Sequence, residues 1–218
     1  MATAPSWVAV KNAAFGSSGT SRTAKSPAST EVGHLLEAEV FVLGSGKTIV
    51  AGTAPAGFSW TAPPEGNNTT VNGEYTVALF YGIATEAGEK DYKFEWSGAS
   101  SNAVTINAVK DFDPASPVAD IKFKNNTTAS TAMKFASVSP AMTNTLSILT
   151  GQTSATGTPA EGYSERVDTT GLYVCTAELA AAGASGEKTA TNSVSEKTAT
   201  WHLAIAPLIA ATGLAVLL

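Results

Sequence analysis

A glycine-rich segment, Gly44-Ser45-Gly46-Lys47-Thr48, has the residue types of a phosphate-binding loop. That loop also needs a glycine five residues before Gly46, where this sequence has Phe41. It further needs a following helix whose amides face the phosphate. Residues 48–51 are instead rich in β-branched and apolar side chains, which is typical of a strand. The segment is therefore predicted to be a hairpin turn and not a nucleotide site.

Candidate catalytic residues are few. Nucleophilic catalysis needs a base beside the nucleophile, and the sequence offers only His34 and His202 as histidine bases. The one cysteine, Cys175, is predicted to be a small buried side chain. His202 alternates with Trp201 and Leu203 and is expected to face solvent or a partner. No enzyme, catalytic residue or cofactor is predicted, although a pair of carboxylates from distant strands stays an open alternative.

Two groups of side chains could bind a ligand. Asp111, Asp113 and Asp120 could hold Ca²⁺, but their spacing matches no EF-hand loop and aspartate before proline commonly opens a turn. No metal site is predicted, and Ca²⁺ binding is left open. Phe58 and Trp60 could stack on a sugar ring if exposed. The favoured alternative is that such aromatic side chains fill the core between two sheets.

Composition excludes some classes of function. Hydrophobic residues make up 44% of the 218 residues and charged residues only 14%, against about 25% charged in an average globular protein. The net charge of -5 argues against nucleic-acid binding, which needs a clustered basic face. The N-terminus lacks the basic start and apolar stretch of a secretory signal, so synthesis in a cytoplasm is expected.

Period-two alternation and β-branched or aromatic runs recur along the chain and predict antiparallel, half-buried strands. The predicted strands are 7–10, 36–43, 48–51, 75–81, 92–96, 103–109, 119–123, 145–149, 171–175 and 199–205. Asn72-Gly73 predicts a tight turn just before a strand. Only residues 175–184 could form a short helix, ending at Gly183.

The two halves of the chain resemble each other. Pro55-Ala56-Gly57-Phe58 corresponds to Pro159-Ala160-Glu161-Gly162-Tyr163, and strands bearing Trp96 and Trp201 close the two halves. The predicted fold is all-β, an antiparallel β-sandwich of the jelly-roll-like double Greek key type, with each half supplying strands to both sheets. It would be one domain, 1–218, made of units at about 30–110 and 118–207. Two small Ig-like sandwiches, divided near residues 111–117, are the alternative.

The C-terminal segment 208–218 is almost wholly apolar, and no charged residue occurs after residue 200. Bilayer spanning needs about 20 apolar residues, so no membrane span is predicted. The segment is instead expected to form a last strand that turns at Thr212-Gly213 and either completes the core or leaves an apolar edge for another subunit. A partner, including another copy of the chain, is predicted because an exposed apolar edge of this length aggregates unless covered. The predicted interface residues are Leu208, Ile209, Leu214, Val216, Leu217 and Leu218.

The sequence resembles the β-sandwich accessory proteins of tailed bacteriophage virions. The resemblance lies in the two Pro-Ala motifs, the link at 111–117 and the closing segment 201–207. These include capsid decoration, head-fibre and tail-associated proteins. The resemblance implies a non-catalytic structural protein located in the virion. It would form homo-oligomers, trimers among them, and bind capsid or tail subunits. The alternative function is a carbohydrate-binding or host-receptor-binding module that recognises a host surface glycan.

Overall fold

The computed structural model describes residues 2–153, 156–169 and 172–209, without the side chains of residues 13–15 and 17. All of its regular elements are antiparallel strands, so the predicted all-β antiparallel sandwich is confirmed. Each of the ten predicted strands overlaps a strand of the structure, and Gly171, at the start of the predicted strand 171–175, lies outside the described residues. The fourteen strands are β1 Ala2–Thr3, β2 Ser6–Lys25, β3 Leu35–Leu43, β4 Ile49–Ala51, β5 Thr69–Val71, β6 Tyr75–Ile83, β7 Asp91–Lys110, β8 Val118–Phe135, β9 Thr145–Gly151, β10 Gly157–Thr158, β11 Ser164–Thr169, β12 Leu172–Leu179, β13 Lys188–Ile205 and β14 Leu208–Ile209.

The strands form two six-stranded sheets with matching strand order. The first sheet runs β2-β7-β3-β6-β5, with β4 also paired to β7. The second runs β8-β13-β9-β12-β11, with β10 also paired to β13. Each sheet is built from consecutive strands of one half of the chain. This differs from the jelly-roll arrangement, in which each half was expected to contribute strands to both sheets. Only the small β1–β14 pair joins the beginning of the described chain to its end.

Long bent strands give each half a second layer. Residues 102–109 of β7 pair with β3, whereas residues 94–96 of the same strand pair with β4. Gly98, which has a φ of 72°, lies between these two portions. Phe94 and Ile106 belong to one buried cluster, so the two portions of β7 fold over the same core. Strand β13 behaves in the same way, pairing with β10 near its start and with β9 near its end.

The main core lies between the two sheets. It combines Leu35 and Leu79 of the first sheet with Ile148 and Trp201 of the second. The opposite face of the first sheet packs on the aromatic cluster around Tyr92. Strand β3 is consequently buried on both faces over eight of its nine residues. The expectation of half-buried strands is therefore wrong for β3, because each six-stranded sheet is covered on both sides.

Three local predictions have clear outcomes. Asn72 and Gly73 both have positive φ between β5 and β6, which confirms the tight turn. The segment 44–48 connects β3 to β4, but both strands pair with β7 and not with each other, so it is not a hairpin turn. The helix suggested at 175–184 is wrong, because β12 continues to Leu179 in register with β9. Within the described ranges, no helix is long and apolar enough to cross a membrane.

Candidate functional site

The predicted interface residues begin at the small β1–β14 pair. Leu208 and Ile209 are 38% and 57% exposed, and they pair with Thr3 and Ala2. Large apolar side chains this exposed are candidates for contact with another molecule. The other four predicted residues, Leu214, Val216, Leu217 and Leu218, lie outside the described residues. The assignment of an interface to this segment therefore stays a prediction.

The chain end is fixed to the link that joins the two halves. Ala206 is fully buried, and its amide donates to the Pro117 carbonyl over 2.9 Å. The Asp113 amide donates to the Ala206 carbonyl over 3.1 Å. The Leu208 amide donates to the Asp111 carbonyl at the same distance. These bonds hold the chain against the link as far as Leu208, and the apolar segment 210–218 follows β14 in the sequence.

A groove of about 470 Å³ opens beside this link. Its apolar walls are Tyr81 and Ile83 on β6 and Pro114 and Pro117 in the link. The neighbouring loop closes tightly over Gly82, because a Cβ at that position would lie 2.4 Å from the Ser59 carbonyl oxygen. The volume of the groove falls within the range of about 300–1,000 Å³ that is typical of ligand pockets.

Sequence reasoning missed this groove. Tyr81 and Ile83 continue the apolar face of β6, and the sequence around Pro114 and Pro117 indicates only a boundary between the halves. The available signals were the apolar pair at the end of β6 and the two prolines of the link, which comes after β7 in the sequence. Their significance depends on the tertiary structure, which places the link beside β6 although the two are far apart in the sequence.

The proposed sugar-stacking residues lie in an aromatic cluster on the other side of the first sheet. Trp60 packs on Phe58 with ring centroids 4.7 Å apart, on Tyr92 at 5.3 Å and on Phe94 at 5.5 Å. It is partly buried, and Phe58 is 9% exposed. These contacts favour the alternative that the aromatic side chains fill a core. Glycan stacking by Phe58 and Trp60 stays a prediction.

Two buried carboxyl groups went unnoticed in the sequence. Glu37 and Glu39 lie on the face of β3 that meets the second sheet, and both are fully buried. The Asn107 side-chain amide donates to Glu37, and the Thr150 hydroxyl of the second sheet donates to Glu39. One oxygen of each carboxyl has no hydrogen-bond partner. Through Thr150, Glu39 contacts the other half of the chain.

Burial dominates the protonation of this pair, because removing water penalises a charged carboxylate. It raises the pKa of Glu37 to about 7, against the smaller opposing effect of the Asn107 hydrogen bond. Burial also raises the pKa of Glu39 well above its ordinary value, and the neighbouring Glu37 adds to the rise. Burial therefore shifts both groups towards the neutral, protonated form inside the fold.

His202 lies against a serine, in an arrangement that resembles a catalytic pair. Its Nε2 is 2.7 Å from the Ser147 hydroxyl, and its Nδ1 is 2.8 Å from the Ala136 carbonyl oxygen. The Tyr163 hydroxyl lies 2.7 Å from the same serine oxygen. His202 and Ser147 are both fully buried, so the expectation that His202 faces solvent or a partner is wrong. The reason is the layer formed by the bent β8 and β13, which covers the outer face of the second sheet.

The environment of this pair is adapted to packing. Burial lowers the pKa of His202 to about 4, so the imidazole is neutral at physiological pH. A substrate would have to displace the core to reach Ser147. Cys175, on the same side of the sheet, is also fully buried, which confirms its sequence prediction. Burial raises the pKa of its thiol to about 12.

The three aspartates considered for Ca²⁺ have separate partners. Asp111 accepts a hydrogen bond from the Ser6 hydroxyl, and Asp113 accepts one from the Ala115 amide within its own turn. Asp120 accepts one from the Ser139 amide. In the part of the chain that the structure describes, no three histidine, cysteine or acidic side chains are grouped as metal ligands would be.

Comparisons with known proteins add no relative to this description: no family model, curated protein or solved structure matches the chain.

Proposed function

We propose that this chain is a non-catalytic structural subunit that self-associates and packs against other subunits of a virion, such as those of a capsid or tail. The observation that carries the proposal is an exposed apolar edge that follows backbone hydrogen bonds to the link and precedes an uncharged apolar segment in the sequence. Leu208 and Ile209 form that edge, and nine residues without a charge follow them. In water, such a segment gains free energy by burial against another surface.

The state of the potentially reactive groups supports a role without chemistry. Ser147, His202 and Cys175 are all fully buried and are held by packing or hydrogen bonds. Burial also shifts the pKa of His202 and of Cys175 in the direction that disfavours the charged form. The virion setting rests on the resemblance of the Pro-Ala motifs, the link and the closing segment to bacteriophage accessory proteins.

The direct test compares the full chain with a chain that ends at residue 209. Both retain the Leu208 and Ile209 pairing with β1, so the body of the protein should fold equally well. We expect the full chain to form defined oligomers by light scattering and the shortened chain to be monomeric. A full chain that stays monomeric across the accessible concentration range would contradict the proposal.

A glycan array separates this function from host-glycan binding. We expect the full chain to bind no glycan. Reproducible binding that is lost in Trp60→Ala, with self-association unchanged, would favour the carbohydrate-binding alternative.

A further inference from the structure

The groove beside the link has the surface chemistry of a site for an apolar chain. Among the described residues that line it, none carries a charge. Tyr81 and Ile83 are partly buried and extend the main core outward to its edge. Pro114 is exposed on the opposite wall. An apolar segment seated here would continue the main core beyond the edge of the first sheet.

The chain carries a segment of matching chemistry outside the described residues. Residues 210–218 read Ala-Ala-Thr-Gly-Leu-Ala-Val-Leu-Leu, without a charge. Fully extended, nine residues reach about 30 Å. This length is enough to leave one molecule and cross a groove on the next.

The direction of the chain end favours a neighbouring molecule over the same one. Ala206 is bonded to Pro117, at the groove side of the link, whereas Leu208 is bonded to Asp111 at its far end. Ile209 then pairs with Ala2. The chain therefore moves away from its own groove as it approaches residue 210, and it would have to reverse to return.

We infer that the groove lined by Tyr81, Ile83, Pro114 and Pro117 receives the C-terminal segment 210–218 of a second copy of this chain. The inference rests on the proposed self-association and specifies its contact. One end of each molecule is a donor and the groove is an acceptor, so the contact is heterologous. Such contacts close into rings or continue as open assemblies, depending on the rotation between copies.

A charge placed in the groove tests this contact. Ser59 lines the groove and is exposed, so Ser59→Glu changes the acceptor surface without removing a core side chain. Pro114→Glu is a second variant on the opposite wall. Thr53→Glu adds the same charge at an exposed position of the same loop that does not line the groove. Thermal unfolding checks that all three fold as the parent chain does.

Analytical ultracentrifugation of these variants measures self-association. We expect Ser59→Glu and Pro114→Glu to raise the apparent dissociation constant at least about ten-fold, because an unpaired charge would be buried against an apolar segment. Thr53→Glu should leave it unchanged. If the full chain associates and both groove variants associate equally well, the groove assignment is wrong while the proposed self-association stands. If the full chain is monomeric, the proposed function itself fails.

Mixing two defective chains identifies the donor and the acceptor. The chain ending at residue 209 keeps an intact groove, and the Ser59→Glu chain keeps an intact C-terminal segment. Neither should associate alone, and together they should form a one-to-one complex through a single contact. Absence of that complex, when each chain is folded, would overturn the inference. Thr53→Glu mixed with the shortened chain is the positive control: the Thr53→Glu chain should associate by itself, and the shortened chain should join its assemblies.

Discussion

Glu37→Gln tests the burial of the acidic pair between the two sheets. Burial raises the pKa of Glu37 from an ordinary value of 4.5 to about 7. Each pKa unit corresponds to about 1.4 kcal/mol, so ionised Glu37 costs the folded state about 3 kcal/mol. Glutamine keeps the size and the acceptor for the Asn107 amide but never ionises.

The direction follows from proton linkage. Below pH 4.5, Glu37 is protonated in both the folded and the unfolded chain, and the variant should be about as stable as the parent. Between pH 4.5 and about 7, the unfolded chain releases its proton while the folded chain retains it. The parent therefore loses stability as pH rises through this window, and the variant does not lose this contribution. Above pH 7 the variant should be more stable by about 3 kcal/mol.

Urea unfolding at half-unit steps from pH 4 to pH 8 measures this difference. Glu74→Gln removes a carboxylate at the exposed β5–β6 turn and is the matched control, for which no such rise is expected. Comparing variant with parent at each pH cancels the contribution of His202. That contribution has the opposite sign, because the lowered pKa of His202 makes stability fall as pH drops from 6.5 to about 4. A difference between Glu37→Gln and parent that is constant with pH would refute the buried placement of Glu37.

Two further predictions concern packing. Gly66→Ala should lose about 3 kcal/mol of unfolding free energy, because a Cβ there would lie 2.4 Å from the Phe123 ring of the second sheet and φ is +85°. Gly73→Ala is the control, because Gly73 has a similar φ of +72° but no atom lies within 4 Å of the added Cβ. It should lose only about 1–2 kcal/mol of unfolding free energy. Equal losses for the two variants in a denaturant titration would contradict the contact between the halves. Cys175 should be inert to Ellman's reagent in the native chain and react with one equivalent after unfolding, because its thiol is fully buried and its pKa is raised to about 12. Rapid native labelling would show that this core opens.

Local alternation in the sequence was sufficient to locate the strands. Tyr92, Phe94 and Trp96 are buried while Lys93 and Glu95 between them are partly exposed, as a period of two predicts for a strand with one covered face. The signal works here because each side chain's environment is set by its own face of the sheet. The fold class could be predicted for the same reason.

The burial of Glu37 and Glu39 could not be predicted from that alternation. They share a face of β3 with Leu35 and Phe41, and these apolar residues on either side of the pair were the available signal that the face is buried. The acidic residues nevertheless suggest a solvent face, because burial by a second sheet is a property of distant strands. His202 was misplaced for the same reason, since β8 and β13 cover a face that local alternation marks as polar.

Strand lengths and sheet membership were also beyond local reasoning. Residues 97–101 are small and polar and suggest a loop, yet β7 continues through them to pair with both β3 and β4. Which strands share a sheet depends on pairing over many residues. The candidate site was predicted only as an apolar chain end, and the groove and the bonded link emerge from the tertiary structure.

The mass of the full chain in solution tests the central claim most directly. Native mass spectrometry over a range of micromolar concentrations, with the chain ending at residue 209 measured in parallel, distinguishes assembly from isolated folding. We predict discrete multiples of the 22.1 kDa chain mass for the full chain and only the monomer for the shortened one. A full chain found solely at 22.1 kDa, or equal assembly of both chains, would contradict the claim that the C-terminal segment makes this protein a self-associating subunit.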